Sequence, residues 1–167
     1  DCIERTLPAM SVAFTKENDR DGTEANLQDR PISSHPNLVT PEGLAMLEAA
    51  LEAARAAVSE ARQAGEDGTG LALARARRDA RYYATRHSSA EDQPPPPDTD
   101  RVHFRSRVTF DRDDGRRQTF RIVGEDEAEP ARGTISHVSP VARALMGKAV
   151  GDVAVVAGGE VEMVAIG

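Results

Sequence analysis

The sequence predicts an α+β protein: an N-terminal antiparallel coiled-coil hairpin, then a small antiparallel β domain with one short helix. Three observations predict it. Side chains suited to a seam recur at alternating spacings of three and four, from Leu44 to Ala61 and again from Leu73 to His87. Four consecutive prolines, Pro94 to Pro97, then forbid any helix. Beyond Arg101 the period falls to two.

Residues 1–37 are polar and aperiodic and read as a disordered arm. Within it Met10 is a candidate start, with residues 1–9 upstream. The hairpin spans residues 38–90. In "TPEG", Thr40 is the N-cap, Pro41 takes the first helical position, and Glu42 sits where the helix dipole favours a negative charge. Leu44, Leu47, Leu51, Ala54, Val58 and Ala61 form the first seam, which Gly65 ends as a left-handed cap. The second arm starts near Gly70 and carries a weaker seam of Leu73, Ala76, Ala80, Tyr83 and His87, because alanines bury little area. Arg75, Arg77, Arg78, Arg81 and Arg86 decorate this arm. They read as a solvated face pairing with Glu48, Glu52 and Glu60, or as a basic stripe facing an acidic or nucleic-acid partner.

Residues 91–100, "EDQPPPPDTD", read as a stiff polyproline II linker, with a variable angle between the parts it joins. The β domain spans 101–167. Val102, Phe104, Ser106, Val108 and Phe110 share one face of a strand, "DRDDG" turns, and Phe120 and Ile122 alternate in a second strand. An acidic loop, "EDEAEPARG", leads to a short strand at Ile135. Ser139 caps a two-turn helix with Pro140 at its first position and Gly147 as its stop. Val153 and Val155, then Val161 to Ile166, form two final strands across "AGGE".

Composition narrows the function classes. A net charge of −7 argues against broad nucleic-acid affinity, which needs a basic face. The single cysteine, Cys2, allows no intramolecular disulfide and no cysteine-based metal site, and it fits a reducing, cytoplasmic compartment. No apolar run is long enough for a membrane span, and the first ten residues lack the basic start and apolar core of a signal peptide. His35, His87, His103 and His137 show no ligand spacing. Ser139 has no partner pattern of a nucleophile, and Lys148 stands outside any phosphate-loop motif.

Four segments carry a resemblance: "VHFRSRVTF", "QTFRIVGEDEAE", "GTISHVSPVARALMGKAVGD" and "GEVEMVAIG". They resemble the GreA/GreB transcript-cleavage factors of bacterial RNA polymerase, whose pattern runs V-x-F-G-S-x-V, I-V-G-x-D-E-A-D and I-S-x-x-S-P-[LIV]-A-R-A-L-x-G-K-x-x-G-D. Arg105 replaces the usual glycine and Glu129 the usual aspartate. "VTPEGLAMLEAAL" and "EARQAG" are similar to the start and end of the family's first helix, so the resemblance covers roughly residues 38–167.

The resemblance implies an FKBP-like C-terminal domain that docks on RNA polymerase and a coiled coil that enters the secondary channel. It implies an accessory factor acting on the polymerase active site, not an enzyme with its own catalytic residues. The family's tip acids help hold a second catalytic Mg²⁺, shared with the polymerase. Nucleic acid, nascent RNA or DNA, is met only within that complex. A monomer is expected. The acidic loop with Asp126, Glu127, Ser139 and Pro140 resembles the polymerase-docking surface. A prolyl isomerase reading is disfavoured, because Phe104, Phe110 and Phe120 all fall at strand-core positions instead of lining a pocket.

The tip departs from the family. Its G-D-x-x-E-N puts two acids three residues apart, on one helix face. Here those positions are Glu66 and Thr69, and the extra acid, Asp67, is adjacent to Glu66 and points about 100° away on a helix. Each arm is also about one heptad shorter than in full-length factors, roughly 10 Å of helix. Sharing a metal tolerates no such displacement at ~2 Å coordination distances. The expected function is therefore regulation of elongation, pausing or initiation without efficient cleavage. The alternative is a genuine cleavage factor with Glu66 and Asp67 supporting Mg²⁺.

Overall fold

The computed structural model describes residues 27–64 and 70–167. Thr40 is the N-cap of helix α1, Pro41–Gln63, and its hydroxyl accepts a hydrogen bond from the Gly43 amide at 3.0 Å. Pro41 occupies the first position, where its missing N–H leaves nothing unsatisfied. Gly43, Leu47, Leu51 and Ala54 form the buried stripe. Helix α2, Gly70–Ser88, returns alongside α1. Val58 and Arg62 share a groove with Arg77 and Ala80, while Leu38–Val39, before α1, pairs with Glu91–Asp92, after α2, so the helices run antiparallel. Gly65, expected as the cap of the first arm, lies outside the described residues.

Three expectations change here. Residues 27–37, read as disordered, lie along α2. The Arg30 guanidinium stacks 3.7 Å from the Tyr82 ring centroid, Asp29 pairs with Arg81, and Asn37 is buried, donating to the Arg86 carbonyl at 2.7 Å. This second cover on α2 explains why Ala74, off the predicted seam, is buried beside Ala76. The linker is tied down as well. Strand β1, Leu38–Val39, pairs in parallel with β2, Glu91–Asp92, and the Gln93 carbonyl accepts from Arg105 Nη1 at 2.9 Å. Finally, three arginines of α2 pair elsewhere than with Glu48, Glu52 and Glu60, the partners of one of the two readings: Arg78 with Asp79, Arg81 with Asp29, and Arg86 with the β domain.

That domain is a five-stranded sheet in the order β5-β4-β3-β7-β6, comprising β3, Arg107–Arg112; β4, Arg117–Val123; β5, Thr134–Ser136; β6, Val153–Val156; and β7, Gly159–Ile166. Helix α3, Pro140–Leu145, lies between β5 and β6 and packs against β6. The sheet is mixed, not antiparallel as predicted, because β5 runs parallel to β4. The acidic loop and a 3-10 turn, Pro130–Arg132, carry the chain back before it pairs. Strand β3 starts at Arg107 instead of Val102, since Arg105 adopts φ 72° and breaks the extended run. Val108, Phe110, Ile122, Leu145, Val161 and Met163 build the core. Ala157 and Gly158, both at positive φ, make the two-residue turn of the β6–β7 hairpin. No helix among the described residues is long and apolar enough to cross a membrane.

Candidate functional site

Strand β4 ends at Val123 and delivers the acidic loop to the root of the helical pair. Glu127 Oε1 accepts from the Thr40 hydroxyl at 2.6 Å, and its Oε2 faces the Thr40 amide at 3.2 Å. The N-cap hydroxyl thus donates to Glu127 while accepting from Gly43, and the carboxylate sits where the α1 dipole welcomes negative charge. Two glycines make room for it. A Cβ at Gly43 would collide with the Glu127 carboxylate, and one at Gly124 would come within 2.6 Å of the Leu38 carbonyl oxygen.

Asp126 spans the same junction. Its Oδ1 accepts from the Tyr82 hydroxyl at 2.5 Å and its Oδ2 from Arg86 Nε at 2.6 Å. Glu125 adds a longer pair to Arg86 Nη2 at 3.4 Å. Arg86 is only 2% exposed. A buried guanidinium is tolerated only with paired charge and satisfied N–H groups, and this loop supplies both. Burial, then the bond to Asp126, pushes the Tyr82 hydroxyl up to about 12, so Tyr82 stays a donor throughout the physiological range. The loop therefore ties the sheet to the helices by directional, charge-assisted bonds.

The predicted partner-binding residues separate into two groups. Asp126 and Glu127 turn inward and clamp the junction. Ser139 caps α3, accepting from the Ala142 amide at 3.2 Å, and Pro140 beside it is exposed. Arg143, one turn on, meets His35 of the arm at 2.9 Å. Sequence reasoning left Arg86 on either a solvated face or a basic stripe toward a partner and assigned Tyr82 no role; a basic residue on α2 and an acidic loop after β4 were the only signals, with no local pattern to join them. The tip acids Glu66 and Asp67 lie outside the described residues. Among the described residues no group of three or more His, Cys, Asp or Glu side chains could hold a metal ion.

Comparison with known proteins follows the same division. The GreA_GreB family model, "Transcription elongation factor, GreA/GreB, C-term", matches residues 96–166. Transcription elongation factor GreA of Hyphomonas neptunium is 37% identical over 136 residues, covering 71% of this chain and 87% of that protein. The GreA of Desulfovibrio desulfuricans is 36% identical over 131 residues, covering 73% and 81%. Among solved structures, GreA factor homolog 1 (Gfh1) of Thermus thermophilus is similar over 80% of this chain and 99% of that chain, with a TM-score of 0.37 and 24% identity. The relatives' identity and the length of the match show the family: the chain belongs to the GreA/GreB family of transcription elongation factors.

Proposed function

We propose that the chain binds bacterial RNA polymerase in the cytoplasm, as a monomer, and regulates elongation, pausing or initiation from the secondary channel without efficient transcript cleavage. It acts as an accessory factor and touches RNA or DNA only inside that complex. Family membership supports the polymerase as partner. The antiparallel pair of α1, 23 residues, and α2, 19 residues, serves as the coiled coil, roughly 35 and 29 Å long. The sheet with α3 serves as the FKBP-like anchor.

The observation that carries the non-cleaving reading is the tip sequence, Gly65-Glu66-Asp67-Gly68-Thr69-Gly70. Its two acids are adjacent instead of three apart, and neighbours on a helix point about 100° apart. Glu66 itself keeps a family acid in place, which favours the second reading, a genuine cleavage factor. Carboxylate oxygens suit Mg²⁺, and Glu66 with Asp67 would hold it jointly with the polymerase; bound there, the ion would activate water for phosphodiester hydrolysis. RNA cleavage in backtracked polymerase complexes tests the proposal. The expected result is binding without stimulated cleavage. Stimulation that disappears in a Glu66→Ala, Asp67→Ala double variant would establish the second reading instead.

Docking is proposed to use Ser139 and Pro140 directly, with Asp126 and Glu127 holding the anchor at the angle that presents them. Pro140→Ala should weaken polymerase capture on its own. Unchanged capture by Pro140→Ala alongside loss by Asp126→Ala would assign docking to orientation alone.

A further inference from the structure

Beside the proline-rich segment lies a cleft of 540 Å³, lined by Pro96, Pro97, Asp98, Asp100, Arg105 and Arg121 among others. Asp126 and Glu127 are not among its lining residues, and the site is independent of the polymerase reading. We propose that this cleft binds a phosphate-bearing small molecule, gripped by Arg105 and Arg121.

Arg105 is the first reason. It holds φ 72°, a left-handed conformation that L-residues other than glycine rarely adopt, where the family pattern carries glycine. Strain of this kind persists where the surroundings enforce it and concentrates at ligand sites. The Arg105 amide donates to the Ile122 carbonyl at 2.9 Å, which pins the strained backbone to the sheet.

The guanidinium gives the second reason. Nη1 is occupied by the Gln93 carbonyl at 2.9 Å. Nε is buried and has no hydrogen-bond partner among the described residues. A buried N–H on a cation without an acceptor is expensive. The edge formed by Nε and Nη2 is the fork that receives an oxyanion side-on, and binding requires the Arg105 side chain to turn that edge toward the cleft it lines.

Arg121 is the third. Its nearest carboxylate, Glu42, stands 3.9 Å away, too far for a hydrogen bond. A phosphate offers three oxygens and serves two guanidinium groups at once; a carboxylate offers two. Asp98 remains an anion at the wall, its carboxylate engaged by the Asp100 and Arg101 amides and by His103. Asp100 stands at the wall without such bonds among the described residues and sets a limit on affinity. The volume suits a nucleotide-sized ligand, and the prolines supply a stiff apolar wall.

Calorimetric titration of the full chain with inorganic pyrophosphate and with a nucleoside diphosphate, against citrate at matched ionic strength, tests this. Amide NMR shifts locate the binding. Expected are saturable binding of both phosphates, amide shifts confined to residues 98–105 and 121, and at least tenfold weakening by Arg105→Gly and by Arg121→Gln. Arg105→Lys, which keeps charge but loses the fork, should weaken several-fold, and Asp100→Asn should tighten. Arg105→Gly restores the family's residue, and thermal melting confirms that it folds. No saturation at millimolar phosphate, citrate binding as tight as pyrophosphate, or Arg105→Gly binding like the parent would each overturn the proposal.

Discussion

The interior of the sheet domain and its junction with the helices bury groups of opposite chemistry. Val108, Phe110, Ile122 and Leu145 are wholly buried in the sheet core, all apolar. At the junction the buried polar residues are Asn37, Thr40 and Arg86, each tied by directional bonds. Apolar burial scales with area and accepts many arrangements, so it determines that the sheet folds. Charge-assisted bonds accept few, so they determine at what angle the helices leave it. The helical pair itself has little to add: beyond Leu47 and Leu51 its fully buried apolar side chains are alanines.

The two regions should therefore break differently. Phe110→Ala should cost about 4 kcal/mol in chemical denaturation, with the junction angle unchanged in the folded fraction. Asp126→Ala strands the buried Arg86 with only Glu125, and should cost about 3 kcal/mol. It should also broaden the solution scattering profile, because the angle is no longer fixed. Equal scattering from both variants would mean that the angle is set by something other than this clamp. Thr40→Val keeps the volume but removes both the α1 cap and the donor to Glu127, and should cost about 2 kcal/mol.

What could be read from the sequence follows the same line. Thr40-Pro41 and Ser139-Pro140 were legible as helix starts because a cap acts within three residues. Leu47 and Leu51 were legible from spacing, and "AGGE" as a hairpin turn from its glycines. Arg86 was not, since its partner Asp126 is 40 residues away and an arginine among arginines reads as a solvated face. The parallel pairing of β5 was hidden because strand direction depends on the path of the loop before it, not on alternation within three residues. Arg105 offered a clue, a large residue at the family's glycine position, and its positive φ is the backbone requirement behind that glycine. Glu66 and Asp67, legible as acids, belong to the segment outside the described residues.

Arg105 also separates strain from contact on the sheet side of the boundary. Arg105→Ala loses the bond to Gln93 and keeps the strained backbone. Arg105→Gly loses the same bond but relieves the strain. The glycine variant should be the more stable of the two by about 1 kcal/mol in denaturant titrations, and close to the parent. Equal stability would show that φ 72° costs nothing here.

The smallest effect comes from His137, which stands on the sheet side facing the junction. Burial lowers its pKa from the ordinary 6.5; nearby Glu125 opposes this, while His35, Arg86 and Arg143 reinforce it. The folded chain therefore prefers the neutral ring. Below pH 6.5 the unfolded chain takes up this proton first, so stability falls as pH drops from there and levels off once the folded form is protonated as well. The carboxylates held low, Asp111 by Arg117 and Asp114 by the Arg116 amide, lose their contributions only at more acidic pH, so the first part of the decline belongs to His137. Denaturation midpoints at pH 7.0 and 5.5 should differ in the parent and converge in His137→Gln. A slope that survives the substitution would move the titration to another group at the junction and leave the His137 ring, edge-on to Phe104 at 5.5 Å, as packing alone.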